Sequence, residues 1–433
     1  MIKTTKDFTQ ERLNQPQKVG VVNLGCARNM VDSQTILSNL KRQGHRLVDV
    51  EQSEVAVVNT CAFIEEAKRE SIDTIIDLLE LKRQGKLKKV IVAGCLAQRY
   101  AKELAREFND IDAIVGAQKL DSEEIPSEVS LTPKHYAYVK ISESCYNRCS
   151  FCIIPKIKGK FVSRTIESVV EEVKKLDRQG VKEINLIGQD ITAYGMDLYH
   201  ELALAKLLKA LIPVTKNIRW IRLLYAFPAH VSDELIDVMS SEEKICKYID
   251  IPLQHISDPI LKAMNRNITT QQTHELIGKF KQKMPQGSLR TTFIVGLPGE
   301  TDKEFEEMLA FLEETRFEKA GVFLYSQEEG TPAFAMAGQV PQRIKRQRMK
   351  RLMQAQQAIS RDIQQAYIGE TLQVLIDEAQ EEEPGVYLGR SEYDAPEVDG
   401  VVYVRSVKPL QPGDFVKVHI TDAYEYDLAG EAV

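Results

Sequence analysis

Short runs rich in Val and Ile alternate with helix-period stretches along the first part of the chain. Val19–Gly25 (VGVVNLG), Glu54–Thr60 (EVAVVNT) and Lys89–Gly94 (KVIVAG) are mostly apolar, as strands covered on both faces must be. Each precedes a helical pattern, clearest where Ile72, Ile75, Ile76 and Leu79 recur along one face. A fourth run, IDAIVGA, closes this segment at about residue 118. The alternation predicts an open parallel α/β sheet over residues 1–118 with helices on both faces. Residues 119–134 mix polar side chains with two prolines and read as a linker.

From residue 135 to about 340 the alternation resumes with longer spacing. Candidate strands are Tyr136–Ile141, Glu183–Gly188, Arg219–Tyr225, Tyr248–Leu253, Leu289–Gly296 and Gly321–Ser326, with helical stretches such as Ile166–Leu176 and Phe305–Leu312 between them. Six β/α repeats predict a partial parallel barrel, whose active site gathers at the carboxyl ends of the strands. A connecting helix is expected over 341–368. Its start, Arg343–Arg351, carries six basic side chains, read here as a solvated face in preference to a phosphate-contacting patch. Met349, Leu352, Gln356, Ile359 and Ile363 track its buried side. Beyond it, over 369–433, the runs TLQVLID, VYLGRSE, VDGVVYV and DFVKVHI alternate between Gly and Pro turns, predicting a small antiparallel β-barrel.

At 433 residues the chain exceeds one ordinary core, and about three domains are expected. No apolar run approaches the roughly 20 residues of a membrane span, and the polar start MIKTTKDFTQERLNQ does not resemble a signal peptide. A cytoplasmic protein without membrane contact is expected. In that setting seven cysteines point to metal or redox chemistry rather than disulfides.

Cys145, Cys149 and Cys152 stand as C-x3-C-x2-C in SESCYNRCSFCIIP, just after the first barrel strand. Iron–sulfur clusters are held by thiolates, normally four. Three, with no His or fourth Cys in the next forty residues, leave one iron open for a small molecule. A structural zinc site wants a closed set of four. Cys26, Cys61 and Cys95 are far apart in sequence, yet each follows a predicted buried strand (VVNLGC, VVNTC, IVAGC). Ligands of open parallel sheets gather beyond the carboxyl ends of the strands, so three neighbouring strands would bring three thiols to one edge. Gly25 and Gly94 would allow close backbone approach. Cys246 has no such company and reads as a core residue.

The triplet, with aromatic Phe151 before its last Cys, resembles the radical S-adenosylmethionine (radical SAM) motif. The whole arrangement resembles the methylthiotransferase family, whose C-terminal barrel is called the TRAM domain. The likeness extends through LGCARNMVDS, NTCAFIEEAKRESID, GCLAQRY, GQDITAYG, IDIPLQHISDPILKAMNR and FIVGLPGET. It implies two 4Fe–4S clusters, a radical SAM cluster on Cys145, Cys149 and Cys152 and an auxiliary one on Cys26, Cys61 and Cys95. S-adenosylmethionine would be both radical source and methyl donor, with an electron donor such as flavodoxin or ferredoxin and a sulfur source as partners. Strand-end position suggests Gly188, Gln189 and Asp190 for the methionine end of the cofactor, with Phe151 close by. The same reasoning offers Arg290 and Val295 for its carboxylate or adenine. Gln254 and His255 end the fourth strand, His255 either as a hydrogen-bonded support or as a catalytic group.

Two branches of the family differ in substrate, a transfer-RNA adenosine or an aspartate β-carbon of small-subunit ribosomal protein twelve. Residues 369–433 hold 15 Asp and Glu against 4 Lys and Arg, a net of −11, leaving the other 368 residues at +5. Phosphate neutralisation dominates nucleic-acid affinity, so such a barrel suits a basic ribosomal protein better. The stretch Gly389–Gly400 with Asp394-Ala395-Pro396 also resembles the ribosomal-protein branch. That branch is the expectation, as a monomer. The alternatives are the transfer-RNA branch and a non-catalytic iron–sulfur scaffold that binds RNA.

Overall fold

The computed structural model describes residues 15–117 and 129–433. They fall into two compact units, the first comprising 15–117, 129–132, 140–146 and 152–168, the second 133–139, 147–151 and 169–433. Most of the segment read as a linker lies outside the described residues.

In the first unit β1 (Lys18–Asn23), β2 (Arg46–Leu47), β3 (Val55–Thr60), β4 (Lys89–Gly94) and β5 (Ala113–Ile114) form a sheet in the order β2-β1-β3-β4-β5. Every pairing is parallel. Its helices are α1 (Ala27–Arg42), α2 (Glu65–Arg83), α3 (Cys95–Arg99) and α4 (Ala101–Glu107). Strand side chains alternate between faces, which builds two cores. Val55, Val57 and Ile91 pack with Ile36 and Leu40 of α1. Ala56, Val58, Val90 and Val92 pack with Ile75, Leu78 and Leu79 of α2. One expected contact fails: Ile76 is 46% exposed, and Leu78 is buried instead. At 3.6 residues per turn, position 76 stands about 100° from 75, outside the stripe that 72, 75, 78 and 79 share.

The chain continues with β6 (Tyr136–Lys140) and an antiparallel ribbon, β7 (Ser142–Glu143) with β8 (Val162–Ser163), with α5 (Ile154–Lys158) between the ribbon strands. The ribbon and α5 belong to the first unit. In the second unit β9 (Glu183–Ile187), β10 (Trp220–Leu223), β11 (Ile245–Asp250), β12 (Ser288–Val295) and β13 (Lys319–Leu324) follow β6 side by side in chain order. The pairings from β9 to β13 are parallel. Helices α6 (Ile166–Arg178), α7 (Leu204–Leu211), α8 (Asp233–Ser241), α9 (Asp258–Ala263), α10 (Thr270–Lys283) and α11 (Asp302–Thr315) connect the strands. This is the expected six-stranded partial barrel. Strand β11 begins three residues before the predicted Tyr248, so Cys246 lies inside it, fully buried.

Helix α12 (Gln342–Gln365) carries the basic run, and the run is not simply solvated. Lys345 and Arg348 share its buried face with Leu352, Gln356 and Ile359. Arg348 pairs with Glu300 at 2.6 Å and Asp302 at 2.8 Å, Arg351 chelates Glu306, and Lys345 donates to the Tyr325 carbonyl.

The chain ends in a closed barrel of β14 (Thr371–Ala379), β15 (Val386–Ser391), β16 (Val402–Arg405), β17 (Phe415–Ala423) and β18 (Leu428–Ala432), ordered β14-β15-β16-β18-β17. It is not wholly antiparallel as expected, because β16 and β18 pair in parallel. Strand β15 and the loop after it meet the amino-terminal side of the partial barrel, including the first residues of β6, β9 and β13. Tyr136 bonds Glu397 at 2.9 Å, Glu183 receives both Arg222 (2.8 Å) and Arg390 (2.7 Å), and Lys319 pairs with Asp394 at 2.6 Å. Part of the −11 charge is therefore spent inside the second unit. Among the described residues no helix is long and apolar enough to cross a membrane.

Candidate functional site

In the first unit the three separated cysteines arrive where their strands end. Cys26 caps α1 two residues beyond Gly25's neighbour Leu24, Cys61 directly follows β3, and Cys95 opens α3 directly after β4. The strands β1, β3 and β4 are adjacent, in a register that pairs Asn23 with Asn59 and Thr60 with Gly94. Gly25 and Gly94 both take the left-handed backbone region, at φ +88° and +92°. A Cβ on Gly25 would lie 2.9 Å from Cys61 Cβ, and one on Gly94 2.3 Å from Asn59 Oδ1. Only glycine lets the chain turn and approach this closely.

A polar frame holds the three turns. Asn59 Nδ2 donates to the Asn29 carbonyl (2.9 Å) and Ser33 Oγ (2.8 Å), and Ser33 Oγ donates to Asn23 Oδ1 (2.8 Å). Ser71 Oγ accepts from Cys61 N and donates to its carbonyl, both at 3.0 Å.

The thiols feel one another. Burial pushes Cys95 up to about 12, with Lys158 opposing and Cys61, Asp32 and Cys26 adding to the rise. Burial also raises Cys61. Burial acts upward on Cys26 too, but the charge of Arg28 and the N–H groups of Asn29 and Arg28 outweigh it, and the thiol lies below its ordinary value. A bound metal centre reverses this cost, because its positive charge favours the thiolates. The donor set therefore fits an iron–sulfur cluster. Among the described residues no three His, Cys, Asp or Glu converge closely enough for a single metal ion.

Beside these thiols lies a buried lattice of charge in the same unit. Lys140 contacts Asp32 and, at 2.8 Å, Glu143. Lys158 contacts Asp32 at 2.7 Å and Glu143 at 3.5 Å. Ile153 and Ile157, just beyond Cys152, join the apolar core that contains Cys95 and Leu96.

The middle of the triplet loop, residues 147–151, belongs to the second unit. Asn147 Nδ2 donates to Asp190 Oδ2 at 2.7 Å, and His230 Nδ1 contacts the same oxygen at 2.8 Å. The other oxygen of Asp190 accepts from Thr192 N, Thr192 Oγ and Ala193 N. Asp190 thus supports the loop, with both carboxylate oxygens hydrogen-bonded within the chain. Gly188 and Gln189 follow β9 directly, at its carboxyl end. Phe151 packs partly buried against Ile260, Met264, Leu297 and Tyr325.

Arg290 lies near the start of its strand. It is the third residue of β12, and its guanidinium pairs with Asp250 (3.1 Å) and Asp399 (3.3 Å), the latter from the C-terminal barrel. Periodicity places it on a strand but not at which end its side chain finds a partner. Val295 does sit at the carboxyl end of β12, fully buried. His255 Nδ1 accepts from Ser257 N at 3.0 Å, and Nε2 of the buried ring lies 3.6 Å from Glu300 without a hydrogen bond. Gln254, at φ +73°, holds a buried side-chain oxygen with no partner at the end of the same segment. Arg266, which sequence reasoning did not single out, points Nη1 at Cys149 Sγ at 3.8 Å. Its only signal was its place in IDIPLQHISDPILKAMNR.

Residues 139–312 match the radical SAM superfamily, 368–433 the TRAM domain, and 18–116 the uncharacterized protein family UPF0004. Among solved structures the fold is similar to the radical S-adenosylmethionine methyltransferase TsrM of Kitasatospora setae, with TM-score 0.50 and 15% identity over 86% of this chain and 81% of that one. It is also similar to the cobalamin-dependent radical enzyme OxsB, with TM-score 0.51 and 13% identity over 74% and 55%. These likenesses are of fold. Fold and matches together define a radical SAM protein with a TRAM barrel.

Identity is far higher to proteins named ribosomal protein uS12 methylthiotransferase RimO. It is 46% with that of Desulforamulus reducens, over 95% of this chain and 99% of the relative. It is 47% with that of Caldanaerobacter subterraneus subsp. tengcongensis over 96% and 100%, and 44% with that of Clostridioides difficile over 96% and 99%. The chain belongs to the RimO family of methylthiotransferases.

Proposed function

We propose that this chain inserts a methylthio group at the β-carbon of an aspartate of ribosomal protein uS12. The observation that carries the reading is the arrival of Cys26, Cys61 and Cys95 at the ends of three adjacent strands, in a chain that also holds the Cys145, Cys149, Cys152 triplet. Each set of three would hold a 4Fe–4S cluster. An unactivated C–H bond has neither a leaving group nor an acidic proton, so the cofactors carry the chemistry. When bound, they supply the electron that cleaves S-adenosylmethionine and the sulfur that is transferred.

The chain's part is to place and insulate. Gly25 and Gly94 let three strand ends close on one centre, and the Asn29–Asn59–Ser33 frame keeps them there. Asp190 holds Asn147, and through it the loop that carries Cys149. A cytoplasmic monomer served by a flavodoxin- or ferredoxin-type donor and a separate sulfur source completes the reading.

Two observations favour a basic protein over RNA as substrate. Glu370, Glu378, Glu381, Glu382, Glu383, Asp414, Asp422 and Glu431 remain exposed on the C-terminal barrel, a surface that steers basic partners. The basic run of α12, which would serve the RNA reading, has Lys345 and Arg348 engaged in buried contacts.

The test is anaerobic reconstitution followed by reaction with uS12 and with anticodon-loop RNA, read by mass spectrometry. About eight irons are expected from two clusters. Replacing Cys145, Cys149 and Cys152 by Ala should abolish 5′-deoxyadenosine formation. Replacing Cys26, Cys61 and Cys95 should preserve it and abolish methylthio transfer. Modification of the RNA and none of uS12 would move the chain to the transfer-RNA branch.

A further inference from the structure

Arg266 is a cation buried to 93% that forms no ion pair with a carboxylate among the described residues. Its Nη2 donates to the Pro252 carbonyl at 2.6 Å, its Cζ lies 4.4 Å from the centroid of the Phe227 ring, and its Nε has no partner. The remaining arm, Nη1, reaches Cys149 Sγ. A buried guanidinium without an anion is costly, so the arrangement asks for negative charge at the sulfur.

The approach is built rather than incidental. Ser150 N donates to the Met264 carbonyl (2.9 Å), Ser150 Oγ to the Ala263 carbonyl (2.7 Å), and Asn265 Nδ2 to the Arg148 carbonyl (2.7 Å). Asn265 takes a left-handed turn, φ +55°, that ends α9 and directs the next residue inward. The end of one helix thus grips residues 148–150 on both sides of Cys149 and presents Arg266 to its sulfur.

We infer that Arg266 is a positioning residue that tunes the triplet-bound cluster, donating to the Cys149 thiolate and raising the potential at which that cluster accepts an electron. Resting on the cluster assignment above, this names the chain's own lever on the first step of the reaction. Hydrogen bonds to ligand sulfur and nearby positive charge both stabilise the more negative, reduced state. A thiolate-ligated cluster that is already anionic is hard to reduce, so a fixed cation at one of its sulfurs is well placed.

The test uses full-length protein carrying Cys26→Ala, Cys61→Ala and Cys95→Ala, so that the triplet's cluster alone is read by electron paramagnetic resonance during a redox titration. Arg266→Met keeps the packing on Phe227 and removes charge and donor. It should lower the reduced-to-oxidised ratio at fixed potential about tenfold, a shift of about 59 mV for one electron. Arg266→Lys should recover part of the shift. Lys262→Met removes an exposed cation from the adjoining helix α9 and should leave the potential unchanged. If Arg266→Met fails to take up iron, the Lys variant decides alone, and a potential equal to that of the parent overturns the inference. An unshifted potential in both variants, or an equal shift in Lys262→Met, also overturns it. Absence of the reduced-cluster signal from the parent protein overturns the cluster assignment itself, and the inference with it.

Discussion

At the scale of single residues, buried charge is where this protein is most exposed to change. Asp32, Lys140, Glu143 and Lys158 are each nearly inaccessible and balance two positive against two negative charges. Removing one partner leaves a charge both dry and unmatched, which costs about 3–5 kcal/mol. Lys158→Met should therefore lower the first unit's stability by that order in chemical denaturation of the apoprotein. A loss under about 1 kcal/mol, the range of exposed pairs, would show the lattice to be hydrated. Asp377 offers a test by pH. Burial acts upward on its carboxyl, but the His135 hydrogen bond and the Arg390 charge outweigh it, so its folded-state value lies below 3.8. The stabilisation is complete above that pH and fades as pH falls below it through the folded value. Asp377→Asn should cost about 2 kcal/mol near neutrality, as charged hydrogen bonds do. The gap to wild type should close in acid denaturation as the carboxyl protonates.

At the scale of elements, the strand ends decide where chemistry can occur. Gly94→Ala would force a side chain into a left-handed backbone and into contact with Asn59 Oδ1 and the Thr60 carbonyl. The strain alone costs about 1 kcal/mol or more, and relief must move β3 against β4. The expected result is loss of about half the bound iron with 5′-deoxyadenosine formation retained. Full iron content in this variant would separate the glycine from the auxiliary site. Such strand ends were legible in the sequence, because a doubly covered strand is a continuous apolar run and Cys follows three of them. What escaped were elements without pattern. Strand β2 has two residues, and β18 (LAGEA) shows no alternation to distinguish it from a loop.

At the scale of the whole molecule, the acidic C-terminal barrel has two roles for its carboxylates. Asp377, Asp394 and Asp399 bind partners within the second unit, whereas Glu381, Glu382 and Glu383 lie together on an exposed turn. Reversing the three exposed glutamates to Lys should slow association with a basic protein and flatten its salt dependence, while the rate on already bound substrate changes little. Stopped-flow association at two salt concentrations reads the first, and single-turnover kinetics the second. Asp394→Lys would instead set two lysines against each other at Lys319. It should reduce stability, measured as a lower melting temperature, rather than association alone.

Residue chemistry and local period were enough to foresee an open parallel α/β sheet, a six-stranded parallel sheet and a small closed β-barrel. They also set Cys26, Cys61 and Cys95 just beyond strand ends, grouped Cys145, Cys149 and Cys152 in one loop, and gave the C-terminal region its acidic balance, since each of these is written in spacing that neighbours along the chain impose. Partnership across long sequence separations was not. Arg290 follows a strand pattern equally well at either end, and only packing reveals that Asp250 and Asp399 claim it. The same holds for the basic run of α12, whose Lys345 and Arg348 turn inward because Tyr325 and Glu300 wait there. Arg266 lies 117 residues from Cys149. A hydrogen bond across that distance depends on where two segments meet in space, and the order of residues alone does not encode it.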